Sequence, residues 1–241
     1  MVDVVLNFND AEESAHATSF TRDAEHARER QAATLAAARP PNQEAVTLLD
    51  GRPRDFAEAE RTAAAELLGG GGRGFVLLQH QSAVTDWHDA EQVRGVYYRE
   101  IQGLVQRLLP GVETLAPGQH VIRTEEPERF PVQPSPVAGY QGTAGVCHND
   151  FAENHGQDLV DRPNDITQPM LDNHRLLEIS CWRNIDTAPI ERMPLAICDR
   201  SSLHRDDLLA MPLVFGDLTK EEDVAWADIY FARHREGQRW L

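Results

Sequence analysis

"VCHNDF", residues 146–151, reads as a short strand carrying a histidine and an aspartate two positions apart. Residues i and i+2 of a strand share a face. His148 and Asp150 therefore point one way, and Cys147 points the other. The stretch decides the fold because the pieces after it have the same grain. "LLEISCW" (176–182), "PLAICD" (194–199) and "IYFARH" (229–234) are short and strand-like, with turns between them. That spacing predicts an antiparallel barrel or sandwich for the C-terminal half.

Upstream, the pattern turns helical. Residues 124–145 hold several prolines and glycines and read as a loop able to act as a lid over a site. "HVIR" (120–123) reads as a strand. Over 91–109, Val93, Val96, Tyr97, Ile101, Leu104, Val105 and Leu108 recur at helical spacing, and Pro110-Gly111 ends the run. The face of this helix is expected to pack against the barrel. "GFVLLQHQSAV" (74–84) reads as a buried strand. Residues 54–68 read as a helix with Phe56, Ala59, Ala63 and Leu67 on one face, closed by the glycines at 69–72. "EAVTLLDGR" (44–52) reads as a short strand ending in an Asp-Gly turn, and "VDVVLNF" (2–8) as an opening strand. Residues 10–38 are rich in Ala, Glu and Arg and predict a weakly amphipathic helix or a mobile arm. The domain boundary falls there: a strand and helical arm at 1–43, then one domain over 44–241.

Bulk composition narrows the function. The chain has 241 residues, enough for a sizeable core. Its net charge of −16 opposes nucleic-acid binding, which needs a positive field. No apolar run approaches a membrane span, and the first twenty residues lack the apolar core of a signal peptide. The three cysteines form neither a disulfide framework nor a zinc knuckle, so a cytoplasmic location is the default expectation. Lys220 is the only lysine. Composition leaves the oligomeric state open.

Two readings compete for His148 and Asp150. A surface histidine in a polar turn is one, because ten histidines among 39 acids make His-x-Asp/Glu pairs common. His204/Asp206 and His234/Glu236 are two more. The other is a metal pair. With one further ligand it would make a two-histidine, one-carboxylate triad that leaves open positions on iron(II).

The order of motifs adds weight to the second. "DGR" (50–52), "RGFVLLQHQSAVTDWHD" (73–89), "YYREIQGLVQRLLPG" (97–111), "HVIR" (120–123), "VCHNDF" (146–151), "CWRNI" (181–185) and "PLAICDRSSLHRDDL" (194–208) occur in that succession. It resembles the CmcJ/AsaB-like hydroxylase/desaturase family, non-haem iron(II)/2-oxoglutarate-type oxygenases of secondary metabolism, over about residues 45–241. The resemblance implies an α+β fold with a double-stranded β-helix (jelly-roll, cupin-like) core framed by N-terminal helices. It implies Fe(II) and 2-oxoglutarate as cofactors, and His148 and Asp150 as the metal pair. Where the family has Trp-Arg-Pro, this chain has Trp182-Arg183-Asn184.

The family pattern also continues past "QRWL" into strands carrying a second metal histidine and a co-substrate arginine. The resemblance thus implies a truncated member with an incomplete barrel, weak metal binding, and an unpaired edge along "IYFARHREGQRWL". Within the chain, His204 and His234 are the candidates for a third ligand. His204 reads as part of a helix start with Ser202 as N-cap. Arg183 is the first candidate for holding the co-substrate carboxylate and Arg123 the next, while His120 is a candidate to line the substrate site. A zinc- or manganese-dependent hydrolase or isomerase on the same barrel, and a non-catalytic remnant, are the alternative readings. Trp87, Tyr97 and Tyr98 read as core packing, and His80, Asp86, His88 and Asp89 as a solvated turn.

Overall fold

The computed structural model describes residues 2–8, 42–118, 120–124, 140–141, 146–153, 160, 166–190, 194–215 and 225–241. The arm expected at 10–38, most of the Pro-rich loop at 124–145 and His155 lie outside them.

The expected first strands form and pair with each other. β1 (Val2–Phe8) runs antiparallel to β2 (Asn42–Leu48), with Val2 opposite Leu48 and Phe8 opposite Asn42. Helix α1 (Phe56–Leu68) follows. The Asp55 carboxylate accepts from the Ala57 amide at 2.8 Å and caps its start. Ala59 and Ala63 are its buried residues. At the other end Gly69 closes the helix on the Ala65 carbonyl, and the Arg200 guanidinium donates to the carbonyls of Leu67 and Gly69. A cation there complements the helix dipole. The chain then turns at Gly74, whose φ of +83° favours glycine, so that its amide reaches the Glu66 carbonyl at 2.9 Å.

Residues 74–84 do not form the expected strand. Burial alternates with period two from exposed Leu77 to buried Val84, yet the segment pairs with no strand among the described residues. Side chains of the next helix supply acceptors instead. Glu100 accepts from the Ala83 amide at 2.7 Å and the Ser82 hydroxyl at 2.6 Å. Just beyond, Gln92 Oε1 accepts from the amides of Thr85 and Asp86. The strand-like alternation is real, but side chains do the bonding.

The helix expected over 91–109 is present with an interruption. α2 (Ala90–Gln92), capped by Asp89, runs into a π turn (Val93–Tyr97) and then α3 (Tyr98–Leu108). Its apolar face packs on α1 rather than on a barrel. Leu104, Val105, Leu108 and Leu109 are buried with Ala63, and Val76, Leu78, Leu115 and Leu177 close around them. Replacing Leu104 by Ala should therefore cost about 2–5 kcal/mol, read as a lowered denaturation midpoint with an unchanged slope.

Among the described residues the C-terminal half shows two small sheets. β3 (Ile122–Arg123) lies parallel to β4 (Tyr140–Gln141). β5 (His148–Asn149), β6 (Leu208–Phe215) and β7 (Ala225–Ala232) form an antiparallel sheet in the order β5-β7-β6. The edge expected along 229–241 is thus not unpaired, because β7 is the central strand. Residues 176–182 are irregular rather than a strand, followed by no ladder partner among the described residues, and a short helix α4 (Gln168–Asn173) precedes them. The helix start expected near His204 is replaced by two 3-10 turns, Arg200–Ser202 and Arg205–Asp207, leading directly into β6. Asp199, not Ser202, caps the first turn; Ser202 ends it.

After β7 the chain returns under the first hairpin. Leu241 and Ile197 exchange backbone hydrogen bonds at 2.8 and 2.9 Å, and the Leu49 amide donates to the Trp240 carbonyl at 2.8 Å. Trp240, 4% exposed, and Ala232 centre a second core cluster with Val46, Leu48, Cys147, Ala196 and Cys198 around them.

Candidate metal centre

β5 places His148 opposite Phe231 of β7, with Asp150 in the bend just past the strand. The two side chains converge: His148 Nε2 lies 3.2 Å from Asp150 Oδ1. The other ring nitrogen, Nδ1, is 2.7 Å from the Val146 carbonyl oxygen. A carbonyl only accepts, so Nδ1 carries a proton and donates it. In the neutral ring the lone pair is then at Nε2, on the side of the carboxylate. The hydrogen bond to Asp150 raises the imidazole pKa, burial opposes it, the Val146 carbonyl adds to the rise, and the Arg123 charge works against it.

This donor set fits a divalent cation. A ligating histidine commonly gives its second N–H to a carbonyl, which fixes ring and tautomer. Here Val146 does so, and one imidazole lone pair and one carboxylate face a shared position. Cys147 turns the opposite way, as expected, into the second core cluster. Burial and then the nearby Cys198 push its thiol up to about 11.

The third-ligand candidates stay apart from the pair. Among the described residues no three His, Cys, Asp or Glu side chains group around one ion position. His204, its side chain 62% exposed, caps its 3-10 turn by accepting at Nδ1 from the Asp206 amide, and the same nitrogen lies 3.2 Å from Asp206 Oδ2. His234 follows β7 and is half-buried.

The two candidate arginines separate in space. Arg123, in β3, is the one whose charge reaches His148. Arg183 sits in another cluster. Its Nη2 donates to the His80 carbonyl at 2.7 Å and lies 2.6 Å from His80 Nδ1, while its guanidinium stacks over Trp87 and Tyr97, 5.5 Å from each ring centroid. Trp87 and Tyr97 meet edge to face at 4.9 Å. His80 is thereby drawn out of the turn in which His88 and Asp86 remain, the His88 amide donating to Asp86 Oδ1. Arg183 joins the 181–183 segment to the π turn. Arg183→Met should lower stability by about 1–3 kcal/mol through the lost stacking and hydrogen bonds, and leave metal affinity unchanged in a titration. His120 pairs with Tyr98, its Nδ1 2.8 Å from the hydroxyl.

A family model described as "Oxidoreductase/YMDC permease-like domain" matches residues 19–241. The chain belongs to this family. Among the curated relatives of this oxidoreductase-like chain, Oxidoreductase AN1597 of Emericella nidulans is 29% identical over 56% of the chain and 45% of its own length. Alpha-ketoglutarate-dependent dioxygenase phiK of a fungal species is 25% identical over 69% of the chain and 57% of its own length. The chain spans about half the length of these relatives. No helix among its described residues is long and apolar enough to cross a membrane.

Two residues of this oxidoreductase-like domain were not singled out by sequence reasoning. Asp199 and Asp207, both in "PLAICDRSSLHRDDL", are the buried carboxylates among the described residues. Asp207, 2% exposed, accepts from the His204 amide at 2.9 Å, from Arg235 Nε at 2.5 Å and from Gln238 Nε2 at 3.2 Å. Asp199 accepts from Ser201 and from Arg239, whose Nη2 is 2.8 Å away. Burial pushes both carboxyls up, but the hydrogen bonds and the arginines outweigh it and hold both below the ordinary range. The signal was the pairing of "CDRSSLHRDD" with "RHREGQR", two complementary charge runs that a single-strand reading does not connect.

Proposed function

We propose that this chain is part of a non-haem iron(II)/2-oxoglutarate-type oxygenase, a hydroxylase or desaturase of the CmcJ/AsaB kind acting on a small molecule of secondary metabolism. A double-stranded β-helix core framed by the N-terminal helices belongs to this proposal. The observation that carries it is the His148–Asp150 pair with the Val146 carbonyl behind the ring. The oxidoreductase-like family and a relative named as an alpha-ketoglutarate-dependent dioxygenase support it.

In this reading His148 Nε2 and one Asp150 oxygen hold the iron, and Val146 keeps the ring turned toward it. Bound iron supplies oxidation of an unactivated C–H bond with 2-oxoglutarate as co-substrate. Arg123 is the candidate beside the pair for holding a co-substrate carboxylate, since its charge is felt at His148, and Arg183 sits in the cluster of His80, Trp87 and Tyr97. His120 lines the approach for the organic substrate.

Iron(II) added anaerobically to residues 1–241 is expected to bind weakly, because the described residues bring two ligands to the ion and leave the other positions to water. Succinate formation from 2-oxoglutarate is expected well below about 1 s⁻¹. Tight stoichiometric binding with turnover of that order would instead require a third ligand in the chain, which His204→Ala and His234→Ala would identify. Metal bound with equal affinity after the loss of His148 would sink the proposal.

A further inference from the structure

One residue supplies both acceptors for the Arg183 guanidinium. Nη2 carries two hydrogens, and the His80 carbonyl oxygen at 2.7 Å and His80 Nδ1 at 2.6 Å take one each. A guanidinium nitrogen only donates, so Nδ1 accepts with its lone pair, and the proton of the neutral ring is on Nε2. The contact exists only while Nδ1 is bare. An imidazole that takes up a second proton makes this nitrogen a donor and sets it against a cation at hydrogen-bond distance.

The ionisable groups around the contact are few. On the π turn, Tyr97 meets the His80 ring at 6.5 Å and shares the guanidinium with Trp87. Burial, foremost, raises its pKa, so the phenol stays neutral through the histidine range. Beside Arg183, burial likewise keeps the Cys181 thiol protonated. On α3, the Glu100 carboxylate accepts from the Ser82 hydroxyl at 2.6 Å and the Ala83 amide at 2.7 Å, two and three residues past His80. Burial pushes this carboxyl up, but those bonds and then the charges of His80 and Arg183 outweigh it and leave it ionised. The neutral ring thus holds a cation, with a carboxylate bonded to its own segment. A plain packing role for Arg183 would be met by the two aromatic rings and leaves the bond to Nδ1 unexplained.

We propose that His80 is a pH-operated latch: neutral, it holds Arg183 and with it the 181–183 segment on the π turn; doubly protonated, it releases Arg183 and takes the Glu100 carboxylate as its partner. Residues 176–182 pair in no ladder among the described residues, so releasing them breaks no sheet. One ion partner replaces another, so the change is local and the global unfolding midpoint moves little. The latch stands apart from the oxygenase reading, and its test uses neither iron nor 2-oxoglutarate.

The test is NMR of the metal-free full chain between about pH 8 and about pH 5.5, the range in which an imidazole changes charge. At the upper end the ¹⁵N spectrum should show His80 with a bare Nδ1 and a protonated Nε2. The Arg183 δ-protons, lying over two aromatic rings, should resonate upfield. Toward the lower end the stacked population should fall by about 10-fold as the hydrogen bond is lost. His80→Asn keeps an acceptor oxygen where Nδ1 stood and cannot titrate, so its Arg183 should stay stacked throughout. Glu100→Gln keeps an acceptor for Ser82 and Ala83 without the charge, and should move the transition to lower pH. A proton on Nδ1 at the upper end, an Arg183 signal that ignores pH, release of Arg183 from His80→Asn over the same range as the parent, or an unmoved transition in Glu100→Gln would each overturn the proposal.

Discussion

Alanine at His148 or Asp150 is expected to lower divalent-metal affinity by more than about 100-fold, beyond the 10–100-fold typical of losing an outer partner. The arithmetic is unforgiving because the described residues offer the ion two ligands. Removing one leaves a single bond and no chelate. The Asp150 side chain is 61% exposed, so its loss should change the stability of the metal-free chain by no more than about 0.5 kcal/mol. Thermal unfolding without metal, run beside an anaerobic titration with iron(II) or manganese(II), separates a lost ligand from a lost fold. Equal metal affinity in the Asp150→Ala and parent chains would remove the pair from any metal chemistry.

The second large effect is structural. Asp207→Ala should destabilise the chain by about 1–3 kcal/mol, the range for leaving buried donors without their acceptor, since the half-exposed Arg235 can return to water. Three donors lose their acceptor at once: the His204 amide, the Arg235 guanidinium and the Gln238 amide. The sign of the pH effect follows from the depressed carboxyl pKa values of Asp207 and Asp199. Their stabilisation is fully present above the unfolded value of about 3.9 and is lost as pH falls through the folded values. The unfolding midpoint should therefore hold from neutral pH to about 5 and fall steeply below about 4. The Asp207→Ala chain should show a shallower fall, having less to lose. Equal acid sensitivity in both chains would assign the transition to other carboxylates.

Periodic features were legible in the sequence. The helix at 56–68 and the one around 91–109 came from apolar residues recurring every three or four positions, and their burial follows that pattern. The π turn was not legible, since Val93, Val96 and Tyr97 suit an ordinary helix equally well. Segment 74–84 misled because its alternation reports which side faces the core, while the bonding partners, Glu100 and Gln92, lie on a later helix. Near His204 a Ser and several acids suggested a helix start. The carboxylates of Asp199 and Asp207 instead close single turns and reach Arg239 and Arg235 far along the chain.

The candidate site divides the same way. His148 and Asp150 do converge, but not as neighbours on one strand face as the spacing suggested, since β5 ends at Asn149 and Asp150 lies in the bend beyond it. The Val146 carbonyl that orients the ring is a backbone atom, invisible in residue types. The sequence ranked Arg183 first because it follows a Trp and an apolar run; its actual partner, His80, is 103 positions away. Long-range pairings of this kind have no local pattern to betray them.

The contact between Trp240 and the first hairpin has a kinetic consequence. Its cluster draws on residues 46–48, 147, 196–198 and 232–240, whereas the helical cluster is built almost wholly from residues 63–115. Loop closure slows contacts between distant parts of a chain. The helical half can therefore collapse early on local contacts, while the cluster around Trp240 waits for residues 46–48 and 232–240 to meet. Until β7 pairs with it, His148 rides on a two-residue strand with Asp150 in the bend beyond, and any metal captured at that stage meets ligands not yet held in place.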